Sequence, residues 1–301
     1  MKVFVTGGTG YIGSAVSLRL KKAGHDVQAL VRNKEKAAAL QAAGVKLVQG
    51  DLANPAGYAA AAYGAQAIVH CASDTSAQAV ELDRKSIQNA REMLHGRVGA
   101  TFIYTSGIWV LGDTGEAAVD ESCPTNPVKL VAWRTGHEQL ALGLAQEGIR
   151  AVVVRPGIVY GGARGGIPAS FFGTAVKQGA AQIVGEGNNH WPLVHVDDLA
   201  ELYVRLVERA PAGSVFHGTD ASTHTVREIA EAASRAAGKD GKVAVLPLDK
   251  ARATMGPFAD ALALDQKVSS EKARNELDWR PRHEDFAAEA PQLFAQWHAA
   301  Q

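Results

Sequence analysis

The chain has 301 residues, enough for one large α/β domain or a domain with a smaller lobe, and enough for a full hydrophobic core. Hydrophobic residues make up 47% and charged residues 21%, a balance that excludes a disordered chain. Lys plus Arg equals Asp plus Glu at 31 each, so no net field draws the protein to nucleic acid or to a membrane surface.

The apolar run Val3-Phe4-Val5 reads as a buried strand, and Thr6-Gly7-Gly8-Thr9-Gly10-Tyr11-Ile12-Gly13 follows it into a helix that extends to about Ala23. Gly7, Gly10 and Gly13 stand three apart. In that order they supply a tight turn, a close backbone approach to a pyrophosphate, and close packing of helix on strand. The helix start leaves free N–H groups and the positive end of its dipole facing the turn, which suits an anion. With a strand before it and a helix after it, the triplet reads as a dinucleotide site rather than a plain glycine turn. Its spacing resembles that of the short-chain dehydrogenase/reductase superfamily, in the extended or atypical branch. The resemblance implies a nicotinamide dinucleotide lying on these glycines and on Tyr11 and Ile12.

Asp26–Val31 reads as a second strand with Arg32 at its end. In such a fold an acidic residue there accepts from a ribose 2′-hydroxyl, whereas an arginine accommodates a 2′-phosphate. Arg32 therefore points to NADP, with NAD as the other candidate. A helix over 34–43 leads to a third strand, Lys46–Gln49, and to Asp51-Leu52, which resembles the family's adenine-contacting pair. The fourth strand and its loop, Ala67 to Ser73, are similar to the family's small-residue segment under the pyrophosphate and nicotinamide ribose. The resemblance places Cys71, Ala72 and Ser73 there, with His70 as a hydrogen-bonded structural residue and Cys71 as a small buried hydrophobe.

A helical pattern over 78–94 returns the chain to a fifth strand, Thr101–Thr105, so strands and helices alternate as in a doubly wound parallel sheet. Ligands bind at the carboxyl ends of such strands, where Ser106 falls. A helix over about 128–146 and a strand from Arg150 precede Arg155-Pro156-Gly157-Ile158-Val159-Tyr160-Gly161, which resembles the segment carrying extended members into their substrate lobe and sets Pro156 beside the cofactor. The glycine-rich run 161–167 reads as a mobile cover. Val194-His195-Val196-Asp197-Asp198-Leu199-Ala200 is a further family-like run, with the two acids as cap and packing residues; no third ligand of suitable spacing follows, so no metal is expected. The tail, Lys272 to Pro281, is similar to the closing helix and Trp-x-Pro turn of extended members. Domain bounds follow: a dinucleotide-binding core over 1–157 to which 193–217 returns, and a substrate lobe from 158–192 and 218–301.

The resemblance also implies a serine, a tyrosine and, four residues later, a lysine. Counting back five from Gly112 puts Gly107 in the serine slot, with Ser106 one residue off. Counting from Glu138-Gln139-Leu140 puts Arg134 in the lysine slot and Leu130 in the tyrosine slot, and no tyrosine occurs between Tyr104 and Tyr160. Arg134 can donate to ribose hydroxyls but, with a pKa above about 12, is no acid. His190, in the loop before the His195 strand, titrates near neutral pH and is the first substitute proton donor, with Tyr160 and Ser106 behind it. Two functions stay open. One is an NAD(P)-dependent oxidoreductase or epimerase/dehydratase-type enzyme acting on a small polar or sugar-like substrate through non-standard acid–base groups; the other is a non-catalytic NADP(H)-binding redox sensor or scaffold. Two cysteines suit a reducing compartment, no apolar run approaches the roughly eighteen residues of a membrane span, and the first strand leaves no room for a signal peptide. A cytoplasmic protein is expected, and the resemblance suggests a homodimer.

Overall fold

The computed structural model describes residues 1–74 and 76–301. Strands β1 (Lys2–Thr6), β2 (Asp26–Val31), β3 (Lys46–Gln49), β4 (Ala67–His70) and β5 (Thr101–Thr105) come first. They are followed by β6 (Arg150–Pro156), β7 (Ile158–Gly161), β8 (Gly165–Gly166), β9 (Ala181–Val184), β10 (Leu193–His195), β11 (Ser214–Gly218) and β12 (Val243–Leu246). Seven of them form one sheet in the order β11-β6-β5-β4-β1-β2-β3, and every adjacent pair in it is parallel. Six of the seven follow the 3-2-1-4-5-6 order of a dinucleotide-binding sheet, and β11 extends it at one edge.

The two faces of this sheet follow from strand alternation. Val3 and Val5 of β1 point to one side and pack with Val16 and Leu20 of the helix Tyr11–Lys22 and with Leu199 and Tyr203 of the helix Val196–Arg209. Phe4 points to the other side, into a cluster with Ile68, Phe102, Ile87 and Leu94, the last two from the helix Ala79–Leu94. A separate cluster, with Phe171, Phe172, Trp191, Ile229 and Phe286, fills the lobe beside the sheet, where β10-β7-β8 and β12-β9 form small sheets. The lobe helix Val226–Ala236 opens on a capping box in which Thr225 and Glu228 satisfy each other's backbone N–H groups. Ala273, Leu277 and Trp279, far along the chain, pack in the cluster of the main sheet rather than in that of the lobe.

Several family-like runs prove to be joints of this architecture. Arg155 at the end of β6 forms a two-pronged ion pair with Glu138 of the helix Ala132–Gly143, Nε to Oε1 at 3.0 Å and Nη2 to Oε2 at 2.6 Å, with both residues buried. Asp198 accepts backbone N–H groups of Arg282 and His283 at 2.9 Å each, and its carbonyl accepts Trp279 Nε1 at 2.9 Å. The helix cap there is not an aspartate: His195 Nδ1 accepts the Asp197 N–H at 3.2 Å.

The expected helices near 34–43 and 128–146 are broken, the first into a 3₁₀ turn and the short helix Ala38–Ala42, the second by 3₁₀ turns on either side of Ala132–Gly143. The glycine run after Tyr160 is not a free cover. β8 pairs antiparallel with β7, Tyr160 with Gly166 and Gly161 with Gly165, and the Tyr11 hydroxyl donates to the Gly161 carbonyl at 2.6 Å. Among the described residues no helix is long and apolar enough to cross a membrane.

Candidate active site

The three glycines after β1 do three different things. Gly7 has φ +72°, and a Cβ on it would stand 2.7 Å from the Ala72 backbone, so the turn is pressed against the loop leaving β4. A Cβ on Gly13 would fall well inside the Gly7 carbonyl oxygen, which is how closely helix and turn approach. Gly10 differs: its Cβ would meet only the Gly7 carbonyl, at 3.0 Å, and its other side is open. Gly10 is also the residue before the helix Tyr11–Lys22, with no side-chain cap, so the first-turn N–H groups are left for a ligand. The open side of Gly10 and the free N–H groups beside it make a cradle that fits a dinucleotide.

The residues expected at the adenosine end follow the exits of β2, β3 and β4. Arg32 is exposed at the end of β2, and its charge helps hold the Asp74 carboxyl below the usual range, after the Ser76 hydrogen bonds. Asp51 is exposed after β3, with Oδ1 accepting the Ala53 N–H at 2.8 Å, and Leu52 packs beside the cluster of the second face. Ala72 and Ser73 follow β4. Cys71 lies beneath, its sulfur accepting Thr105 Oγ1 at 3.6 Å, and burial pushes its thiol up to about 12, which makes it a small hydrophobe.

At the other end, a cavity of about 480 Å³ runs from Tyr11 and Ile12 past Ser106 and Arg134 to Pro156. It brings together residues from β5, β6, the first helix and the helix of Arg134. Ser106 is buried at the carboxyl end of β5, and its Oγ has no hydrogen-bond partner. Arg134 is held from behind: Nη1 donates to the Thr105 carbonyl at 3.2 Å and to the Tyr104 hydroxyl at 3.5 Å, and the guanidinium lies 4.4 Å above the Trp133 ring. Tyr104 in turn donates to Asp83 at 2.7 Å, and His137 Nδ1 meets the same oxygen at 2.7 Å. His70 joins Asp83 to Thr6, at 3.4 and 2.8 Å. His137 is thus a buried structural residue and not a surface one. The Asp83 network is a part of the site that the sequence reading missed. Its signal was an acid on the buried stripe that continues with Ser86, Ile87, Ala90 and Leu94.

The position facing Arg134 across one turn is Val131, which lines the cavity, while Leu130 packs with Ile108, Val110 and Leu111. A 3₁₀ turn puts residues three apart on one side, which moves the slot by one from the count of four. Neither residue carries a proton.

Two candidate proton donors lie elsewhere. His190 lines a second cavity, one that shares no lining residue with the first, and is fixed to Asp265 Oδ1 through Nδ1 and its own N–H, both at 2.8 Å. Tyr160 is fully buried between His195 and Phe286, donates to the His283 carbonyl at 3.3 Å, and burial raises its phenol far above the ordinary value. Its place on β7 points its ring into the lobe core and away from Ser106. Both are structural residues in this geometry.

A third group does approach the acid pair: His195, Asp197 and His283 have ligating atoms within 4.8 Å of one another. The His195 and His283 rings stack at 3.8 Å with 26° between planes, so their in-plane lone pairs run side by side and do not converge on one ion. The two rings are packing partners, and Asp197 beside them is exposed.

Similarity to known proteins agrees with the architecture. An uncharacterised protein of Schizosaccharomyces pombe is 32% identical over 96% of this chain and 99% of its own. A 4-hydroxy-2-methyl-3-oxo-4-farnesyl-3,4-dihydroquinoline-1-oxide ketoreductase of Stigmatella aurantiaca is 27% identical over 94% and 92%. Among solved structures, a dTDP-glucose 4,6-dehydratase of Streptomyces venezuelae with NAD bound superposes with a TM-score of 0.84 at 22% identity, covering 99% of this chain and 97% of that one. A UDP-glucose 4-epimerase of Thermus thermophilus in complex with NAD gives 0.82 at 22%, covering all of both. The model of the NAD dependent epimerase/dehydratase family matches residues 3–217, and the chain belongs to that family.

Proposed function

We propose that the protein is an NADP(H)-dependent oxidoreductase that interconverts a carbonyl and an alcohol. The observation behind this reading is the continuity of one cavity from the glycine turn at Tyr11 and Ile12 to the unpartnered hydroxyl of Ser106 and the cation of Arg134. Gly7, Gly10 and Gly13 would hold the pyrophosphate, Asp51 and Leu52 the adenine, and Arg32 a 2′-phosphate. When bound, the nicotinamide cofactor supplies or accepts the hydride. Ser106 Oγ then donates a hydrogen bond to the substrate oxygen after a turn about χ1. Arg134 places positive charge where the oxygen becomes negative, and its backing by Tyr104 and the Thr105 carbonyl keeps it in position without reorganisation. Neither group is an acid near neutral pH, so the proton reaches the oxygen from solvent. The ketoreductase of Stigmatella aurantiaca, related over nearly the full chain, supports the carbonyl chemistry.

The second reading, a dinucleotide-binding sensor without turnover, draws on the absence of a free phenol among the described lining residues: Tyr11, the single tyrosine there, donates to Gly161. Screening carbonyl compounds with NADPH consumption as the readout separates the two.

A further inference from the structure

The wall of the cavity beyond Ser106 says what kind of molecule can enter. Ile108, Trp109, Val131, Ile158 and Ile167 form it. Four lining residues carry polar side-chain groups, Tyr11, Ser106, Trp109 and Arg134, and two of them are tied to the protein. The Tyr11 hydroxyl donates to the Gly161 carbonyl at 2.6 Å, and Arg134 is anchored at the β5 end against Thr105 and Trp133. Ser106 Oγ is buried without a partner, and the Trp109 ring N–H makes no hydrogen bond to the described residues. We infer that the substrate of this site is a mostly hydrocarbon carbonyl compound, an aryl or long-chain alkyl ketone or aldehyde, and not a phosphorylated sugar. This rests on the reading of the cavity as the hydride-transfer site and names its substrate class.

Three physical arguments carry it. A diphosphate buried against this wall would need cations or N–H donors for its charges, and the lining offers one cation, already at the opposite end. Directly behind the wall lies apolar core, and the polar cavity lined by His190 shares no lining residue with this one. Trp191 is buried, stacks on Phe171 at 5.6 Å and gives its ring N–H to the Leu262 carbonyl at 3.0 Å. The way out is apolar as well. Trp109 packs edge-on against Phe258 at 5.9 Å, and Phe258 is 37% exposed, an aromatic step from cavity to solvent. One hydroxyl and one ring N–H set in a hydrocarbon wall match a substrate with few oxygens on a hydrocarbon body.

The test uses binding and not turnover. The full chain, saturated with NADP⁺, is titrated by calorimetry with 2-alkanones from 2-butanone to 2-decanone and, separately, with UDP-glucose. Burial of each methylene is worth up to about fourfold in affinity, so the dissociation constant should fall about two- to fourfold per added methylene over at least four of them. The heat-capacity change should grow more negative along the series, and UDP-glucose should give no saturable heat. Trp109→Ala should flatten the chain-length dependence while NADP⁺ affinity stays the same. Affinity independent of chain length, or UDP-glucose binding as tightly as the longest ketone, would overturn the inference. The apolar wall belongs to the protein alone, so the same ordering is expected, more weakly, in the chain without cofactor. Failure of NADP⁺ to bind would therefore remove the cofactor reading and leave the substrate class to be decided by the series itself.

Discussion

Asp83 and Tyr104 meet at 2.7 Å between a helix and strand β5 of the main sheet, and the Tyr104 oxygen also accepts from Arg134 Nη1 at 3.5 Å. One phenol therefore links a buried carboxylate to the cation of the candidate site. Burial alone would push the Asp83 carboxyl up, but hydrogen bonds from His137, His70 and Tyr104 outweigh it and hold the group well below the usual carboxylate range. Tyr104→Phe removes a donor from a buried charge and one of the anchors of Arg134, leaving the Thr105 carbonyl and the Trp133 ring. It should cost about 1–3 kcal/mol of stability in urea unfolding at pH 7 and weaken NADPH severalfold by fluorescence titration. Unchanged values of both would show that the phenol holds nothing.

The depressed carboxyl of Asp83 also sets a pH dependence. Its folded value lies below its unfolded one, so its contribution is complete above the ordinary carboxylate range and is lost as pH falls through and below it. Asp83→Asn should make the wild-type and variant stabilities converge below about pH 4, checked by unfolding at a series of pH values.

Gly10 and Gly13 should respond oppositely to alanine. Gly10→Ala has room in the protein and meets only a carbonyl at 3.0 Å, so the chain should stay folded and lose dinucleotide affinity. Gly13→Ala collides with the Gly7 carbonyl and should lower the melting temperature before any ligand is added. Equal NADPH affinity in wild type and Gly10→Ala would place the pyrophosphate elsewhere.

Arg32 is exposed, and no hydrogen bond to a protein group ties its guanidinium among the described residues. NADPH should bind more tightly than NADH, and Arg32→Ala should reduce NADPH affinity about tenfold, the scale of one charge-assisted phosphate contact, with little change for NADH. Equal affinities of the wild type for both cofactors would end the preference.

Asp220 gives a second pH signature, of the opposite sense. It is buried with Oδ2 unpartnered, and burial, reinforced by Glu284 and Asp198, raises its carboxyl from 3.8 to about 8 against the Ser222 N–H that favours the charged form. The folded state then holds a proton that the unfolded state gives up, so stability is present below pH 3.8 and drains away up to about pH 8. His217, lowered from 6.5 to about 4 by burial and by Arg155, acts the other way and loses stability as pH falls between those values. Asp220→Asn keeps the acceptor for Ser222 and removes the titration, so it should raise the melting temperature at pH 8 far more than at pH 5. Identical gains at both pH values would contradict the buried acid.

The sheet was legible because its signals are local. The bounds of β2, β3 and β5 follow from apolar runs ended by glycine or polar residues, and the glycine triplet carries its own geometry. The residues expected to hold a cofactor could be located because they sit at strand exits in chain order. The far end of the candidate cavity could not. Ser106, Arg134 and Ile158 lie 28 and 24 residues apart in sequence and meet only through the sheet, and the 3₁₀ turn at Lys129–Val131 shifts the helical count by one. His190 was expected at the site from its loop before the His195 strand and its pKa range, neither of which gives the side chain a direction; the Asp265 carboxylate, 75 residues on, holds it at another cavity. The apolar wall was not legible for the same reason, since Trp109 and Ile167 are 58 residues apart and meet only in the fold.

The most direct measurement is single-turnover oxidation of bound NADPH, followed by absorbance, with 2-decanone added to wild type and to Ser106→Ala. The account predicts ketone-dependent oxidation by the wild type, a rate at least about a hundredfold lower in the variant, and the same NADPH affinity in both. Tight NADPH binding with no oxidation by any carbonyl compound, in wild type as in the variant, would contradict it and make the protein a dinucleotide sensor.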